Sequence, residues 1–301
     1  MGQQIESVKI IESSSPPSGF RVVAREFKKD KLAMFSLVLI TVMILGILIA
    51  SLFVDQSEVM RVTLKGKFAE PGENGYILGA DHGGRDILGQ LIIGGRNSIL
   101  IAVAITIITA IIGITVGLVT GYYGGIIDNF FMRIIDFFMT LPMLMMIIVF
   151  VTLIPKYDVT SFIIILSIFL WVGTARLIRS KALSESRRDY VNASKTMGTR
   201  DSAIIFGGIM PNISSLIIVE LTLSFAGNIG IETGLSFLGF GLPPATPSLG
   251  TLVAYAIDPV VLSSKWWVWV PASLLILVLM LGINYVGQAL RRSADARQRL
   301  G

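Results

Sequence analysis

Six stretches of about 20 mostly apolar residues dominate this chain, at 32–54, 98–122, 129–154, 161–178, 211–231 and 266–290. Each is long enough to cross the hydrocarbon core of a bilayer as a helix. In lipid, a spanning segment must satisfy its own backbone, which leaves the helix as the local solution. The predicted fold class is therefore an all-α membrane protein with six transmembrane helices. Charge supports this: 15% of the 301 residues are charged, against about 25% in soluble domains. The first run is too long for a signal peptide and no small-residue cleavage site follows it, so it is expected to be an uncleaved anchor.

Lysine and arginine set the orientation, because cytoplasmic loops are enriched in them. They cluster before residue 32, between 179 and 200, and after 290. The segments 55–97 and 233–265 carry fewer, with acidic residues among them. Both termini and the 179–210 loop are thus expected in the cytoplasm, with 55–97 and 233–265 as outer loops. The net charge of +5 follows this topology and gives no reason to expect nucleic acid. The N-terminal segment 1–31 is Ser/Pro-rich over its first 19 residues and expected to be partly disordered. Phe20 to Lys31 reads either as an amphipathic basic helix on the inner surface or as a topology-setting flank. Residues 291–301 read as a cytoplasmic tail.

The loop between the fourth and fifth runs contains DYVNASKTMG, from Asp189 to Gly198. Asp189 can cap a helix and Gly198 can end it at C′. About eight residues between them span roughly 12 Å. Tyr190, Ala193 and Met197 recur at helical spacing and form one apolar stripe. Such a helix is either a knob for a partner's groove or a surface helix packed on its own protein.

The pattern Tyr190-Val191-x-Ala193, Gly198 and Ile209-x-Pro211-Asn212 resembles the "EAA" loop of ABC-importer permeases. Asn192 and Ser194 stand where that motif has glutamate and its second alanine. The segments 78–99, 121–142 and 234–250 resemble the same family in the same order. From Leu32 to Arg292 the chain is similar to the C-type permease subunit of dipeptide and oligopeptide importers. The resemblance implies a type I ABC importer fold and a permease domain at 32–290. It implies a coupling helix, carried by Asp189, Tyr190, Val191, Ala193, Met197 and Gly198, that docks on an ATPase. It further implies half of a translocation pathway, a second permease of B type, two ABC ATPase subunits and an extracytoplasmic peptide-binding protein. ATP and Mg would be held by the ATPase subunits, with no cofactor in this chain. The setting is a prokaryotic cell membrane and its lipid. Di- and oligopeptides are the implied substrates; nickel or another small solute remains the alternative.

Polar residues inside apolar runs mark further candidates. Glu220, Ser224 and Asn228 recur at i, i+4, i+8 in the fifth run. A carboxylate at this depth must face a cavity or a partner, so this stripe is a candidate for the translocation path; a purely assembling role is the alternative. Asp81, Arg85, Asp86 and Glu232 are candidates for an ordered outer loop or gate, with Arg85 able to pair with either aspartate. His82 lies between acids, but one histidine makes a weak metal site, and no metal is expected. Gly113, Gly117 and Gly121 form a small-residue ladder for close helix packing. Arg133 and Asp136 can pair at i, i+3. Pro142 is expected to kink the third span, and Pro211 to open a helix. Residues 233–265 are too rich in Gly and Pro for one helix, yet apolar enough to be a partly buried cap. Trp266, Trp267 and Trp269 read as an interfacial belt.

Catalysis is not encoded in any recognisable form. No phosphate-binding loop occurs, since Gly66-Lys67 is followed by Phe68. Cysteine is absent and His82 is the sole histidine, so no nucleophile–histidine pair exists. A self-sufficient secondary transporter predicts internal repeats, and none is evident. The reading is a transport-pathway subunit and not an enzyme.

Overall fold

The structure is a computed structural model that describes residues 24–63, 66–154, 157–243 and 245–298, the last four of these by backbone alone. The Ser/Pro-rich segment, the start of the basic stretch at Phe20 and the end of the tail lie outside the described residues. The described chain is helical throughout, apart from loops and one isolated bridge between Ala80 and Asp86. Five helices are long and apolar enough to cross a membrane. They are α1 (Lys31–Ala50), α2 (Ile87–Tyr123), α5 (Val159–Glu185), α7 (Ser214–Phe237) and α10 (Trp266–Gln298). A bent pair, α3 (Gly125–Thr140) and α4 (Met143–Leu153), makes a sixth if it counts as one span. Three of the shorter helices are α6 (Asp189–Thr196), α8 (Leu249–Ala254) and α9 (Pro259–Ser264).

Several boundaries correct the sequence reading. The second span starts at Ile87, eleven residues before the apolar run, because Asp86 caps it by accepting from the Leu88 and Gly89 amides. The outer loop accordingly ends at residue 86. At 37 residues α2 is about 55 Å long, so it stands well clear of a 30 Å core. Gly94 lies within it because a Cβ there would meet the Ser248 backbone at 2.9 Å. The third span is broken, not merely kinked: Leu141 and Pro142 are extended and the two halves bend by 84°. The proline lacks an amide and pushes its predecessor out of the helical region. The fifth span runs to Phe237, and residues 201–212 are already helical, including a π-helical stretch at Ile204–Ile209. The sixth continues to Gln298, so 291–301 does not begin as a separate tail.

The tightest seam is α2 against α5. Cβ atoms at Gly113, Gly117 and Gly121 would lie 2.6–2.9 Å from Thr174, Ala175 and Ala182, so the ladder sets this helix spacing. Arg179 of α5 donates to both carboxylate oxygens of Asp128 in α3, at 2.7 and 2.5 Å. Asp136 pairs with Arg176 at 3.2 Å, and not with Arg133, which is exposed on its own helix. The broken span thereby runs along α5, and Ile147 and Val151 of α4 join Phe162, Ile165 and Leu166 in one buried cluster.

At one end of the bundle Arg292 of α10 pairs with Asp30, the N-cap of α1, at 3.0 Å. The start of the first span and the end of the last thus share a face. At the other end Trp267 is buried and its indole N–H donates to the Ala80 carbonyl at 3.3 Å. This tryptophan locks the outer loop and does not belong to an interfacial belt; Trp266 is exposed.

Candidate functional site

The segment 189–212 lies at the same end of the bundle as the Asp30–Arg292 pair. A cavity of about 580 Å³ there is lined by Lys181, Glu185, Arg188, Tyr190 and Asn212, with Ala294 of α10 closing it. Helix α6 forms as its ends demand, with one correction. Arg188, not Asp189, is the N-cap, and its side chain makes no capping bond. Asp189 is the first helical residue, where its charge faces the positive end of the helix. At the other end Gly198 takes φ +75°. Its amide donates to Lys195 and that of Thr199 to Ser194, a Schellman closure that needs a left-handed C′ residue.

Two faces of α6 have different environments. Val191 is fully buried with Ile178, Ala182, Ile204, Ile205 and Ile209. Lys195 lies 4.4 Å over the Tyr122 ring, and the Tyr122 hydroxyl donates to Asp201 at 2.6 Å. The helix is therefore fastened to the end of α2 and to the π-helical stretch. Away from that anchor, Tyr190, Asn192, Ala193 and Met197 are exposed, Met197 at 76%. Tyr190, at 37% exposure, also lines the cavity, and that partial burial pushes its phenol above its ordinary range. Val191 thus holds the helix, while Ala193, Met197 and the exposed part of Tyr190 form its free surface.

Within the span, Glu220 accepts from Thr174 at 3.0 Å and from Ser224 at 3.3 Å. Asn228 is buried and donates to Thr106 at 2.8 Å. The stripe is therefore a polar seam joining α7 to α5 and α2. Its lower part, Glu220 and Ser224, stays half-exposed.

At the opposite end the four outer-loop candidates separate into distinct jobs. Asp81 is fully buried; it accepts from the amides of Gly83 and Arg85 and from Gln90. Arg85 approaches it at 3.8 Å. Asp86 caps α2. Glu232 is fully buried and accepts from Ser98 and Ser236, both at 2.9 Å. Ser98 in turn accepts from the Leu249 amide at 3.0 Å, so Glu232 ties α7 and α2 to the start of α8. Sequence reasoning missed Ser98, Tyr122, Asp201 and Arg179. Their partners lie 51 to 134 residues away, beyond any local pattern. Among the described residues no group of three acidic or histidine side chains could hold a metal.

Residues 113–300 match the family described as binding-protein-dependent transport system inner membrane component. That is more than half of the chain. The chain belongs to this family. Residues 18–64 match a second model, the N-terminal TM domain of oligopeptide transport permease C. The permease is 52% identical over 276 residues to the oligopeptide transport system permease protein OppC of Lactococcus lactis subsp. lactis (strain IL1403), covering 92% of this chain and 94% of the relative. It is 33% identical to OppC of Bacillus subtilis (strain 168), over 91% and 88% of the two chains. It is 34% identical to the dipeptide transport system permease protein DppC of Haemophilus influenzae (strain ATCC 51907 / DSM 11121 / KW20 / Rd), over 90% and 92%. The permease is thus a multi-pass inner-membrane component of a bacterial transport system, a transport subunit that works with a binding protein and an ATPase.

Proposed function

We propose that this chain is the C-type permease of an oligopeptide importer and that α6 is its coupling helix, seated in a groove of an ABC ATPase. The observation that carries this reading is the division of α6 into an anchored face and a free one. Val191, Lys195 and the Tyr122–Asp201 bond hold the helix on the bundle. Tyr190, Ala193 and Met197 face outward at helical spacing, and a short helix with exposed apolar anchors fits a groove. Tyr190, Val191 and Ala193 of the EAA-like pattern sit on this helix, and Gly198 ends it. The charge pattern supports cytoplasmic termini, and the Asp30–Arg292 pair puts the described ends on one face, beside α6.

In this reading ATP and Mg are bound by two ATPase partners. Closure of that pair moves α6 as a rigid body, and the motion passes to α2 and α5 through the buried cluster around Val191. A related B-type permease supplies the other half of the pathway, and an extracytoplasmic binding protein delivers the peptide. The names of the relatives support peptides as the substrate. Glu220 and Ser224, half-exposed on α7, are the side chains placed to meet a peptide amine in the pathway.

Co-expression of tagged chain with the second permease and the ATPases, followed by purification in mild detergent, tests the docking. The expected result is a complex that loses its ATPases, and keeps the second permease, on combining Tyr190→Asp with Met197→Asp. A complex that keeps its ATPases in that variant contradicts the proposal.

A further inference from the structure

A second cavity, of about 560 Å³, opens at the end of the bundle opposite the Asp30–Arg292 pair, between the outer loop, the end of α7 and helix α8. This volume falls in the usual range of small-molecule sites, about 300–1,000 Å³. Met60 and Leu242 give it an apolar wall, and His82, Arg85 and Tyr255 a polar one. Glycines shape the rim: Gly239 takes φ +85°, and a Cβ on Gly241 would collide with Ser236 at 1.9 Å.

The charges along this wall are unevenly satisfied. A guanidinium carries five N–H donors. Among the described residues that of Arg85 has one ionic neighbour, Asp81, at 3.8 Å, beyond hydrogen-bond reach. Its Nε is buried without a partner. Asp81 has the opposite condition. One of its oxygens accepts from two amides, Gly83 and Arg85, and the other from Gln90 and, at 3.4 Å, from the Tyr255 hydroxyl. Asp81 thus has little acceptor capacity left for the guanidinium. Glu232, the other buried acid nearby, is bonded to Ser98 and Ser236 and does not line the cavity. Burial pushes the Tyr255 phenol up to about 12, and its one O–H is already directed at Asp81. The His82 ring lies edge-on to Tyr255, with centroids 5.2 Å apart. The wall thus offers the unspent donors of one under-partnered guanidinium, and among the described residues no carboxylate lines it.

We propose that this cavity binds a carboxylate carried on a short uncharged chain, with Arg85 as the charge partner and Met60 and Leu242 against the chain. A guanidinium is suited to paired hydrogen bonds with a carboxylate. On the permease reading above, on which this proposal rests, the cavity faces outside. There the carboxylate comes from the C-terminus of the arriving peptide or from an acidic side chain of the binding protein.

The test uses the complete transporter in nanodiscs. N-acetyl-Ala-Ala and its C-terminal amide are titrated without the binding protein, by calorimetry. The expected result is binding of the acid at least tenfold tighter than the amide, lost in Arg85→Gln. Arg85 also helps order its loop, so Ala245→Glu is a second variant. It tethers a carboxylate to the exposed part of the lining and should abolish acid binding without removing Arg85. If the acid does not bind, but both variants weaken docking of the binding protein at least tenfold, the carboxylate belongs to the binding protein and the site stands. Equal binding of acid and amide overturns the proposal. So does a complex in which neither variant changes peptide binding or docking. Stimulation of ATP hydrolysis by loaded binding protein in the wild type checks the permease reading separately, since it does not depend on the acid–amide difference.

Discussion

Replacing Val191 by alanine removes two methyl groups from the cluster that holds α6 on the bundle, and nothing from its exposed face. Val191 is fully buried. Two methyl groups correspond to about 1.6 kcal/mol of transfer free energy. The vacated space adds to this, and partial collapse of the short helix subtracts. A net loss of about 2 kcal/mol in docking corresponds to a roughly thirtyfold rise in the undocked population. Amide hydrogen exchange of residues 191–198 in the purified transporter reads that population directly. The ATP hydrolysed per peptide transported reads its consequence, because a loosely held helix transmits less of the ATPase motion. Met197→Ala is the matched control. At 76% exposure it should leave exchange unchanged and weaken ATPase binding instead. Unaltered exchange in Val191→Ala, or equal exchange effects of the two variants, would refute the division of α6 into anchor and docking face.

Three other outcomes follow from packing and charge. Gly117→Val should lower the thermal midpoint in detergent through about 1–3 kcal/mol of overpacking, because a Cβ there already meets the Ala175 carbonyl at 2.7 Å; Gly227→Ala, with open space around it, should not. Glu220→Gln should slow peptide uptake while leaving the complex assembled, since an amide oxygen can still accept from Thr174; normal uptake would remove Glu220 from the pathway. The Asp30 carboxyl lies below its ordinary value, held there first by the Ala33 amide and further by Arg292. Its contribution is therefore present above the ordinary aspartate value and lost as pH falls through the lower, folded one. Spin labels on α1 and α10 should report an unchanged separation from pH 7 to 5 in the wild type, and a looser one at pH 7 in Asp30→Asn.

The spans were legible because a bilayer imposes a length and a polarity that few other folds share. Gly198 was legible as a helix stop for a local reason, the left-handed C′ residue of the Schellman closure. Errors came where a tertiary contact overrode local pattern. Asp189 has the right chemistry for a cap, but the chain enters the helix one residue earlier, at Arg188. Helix α2 runs through Gly94 and Gly95 because the approaching Ser248 backbone and the Ile47 side chain occupy the space a Cβ would take. Asp136 was within reach of Arg133 by spacing, yet a helix 40 residues away supplied the better partner, Arg176. Trp267 had the composition of a membrane belt and serves as a buried lock on the outer loop. The Glu220–Ser224–Asn228 periodicity was correct, but periodicity alone does not say which neighbour a polar face meets. Here it meets Thr174 and Thr106 of the same chain.

The central claim is that α6 transmits ATPase motion to a peptide pathway. Its most direct test is peptide uptake into proteoliposomes that hold the complete transporter, with ATP enclosed on the ATPase side and loaded binding protein on the other. Wild type should accumulate peptide only when both are present. The Tyr190→Asp and Met197→Asp double variant, with its second permease retained, should accumulate none. Uptake by that variant at the wild-type rate, or uptake by the chain alone without ATP, would contradict the account.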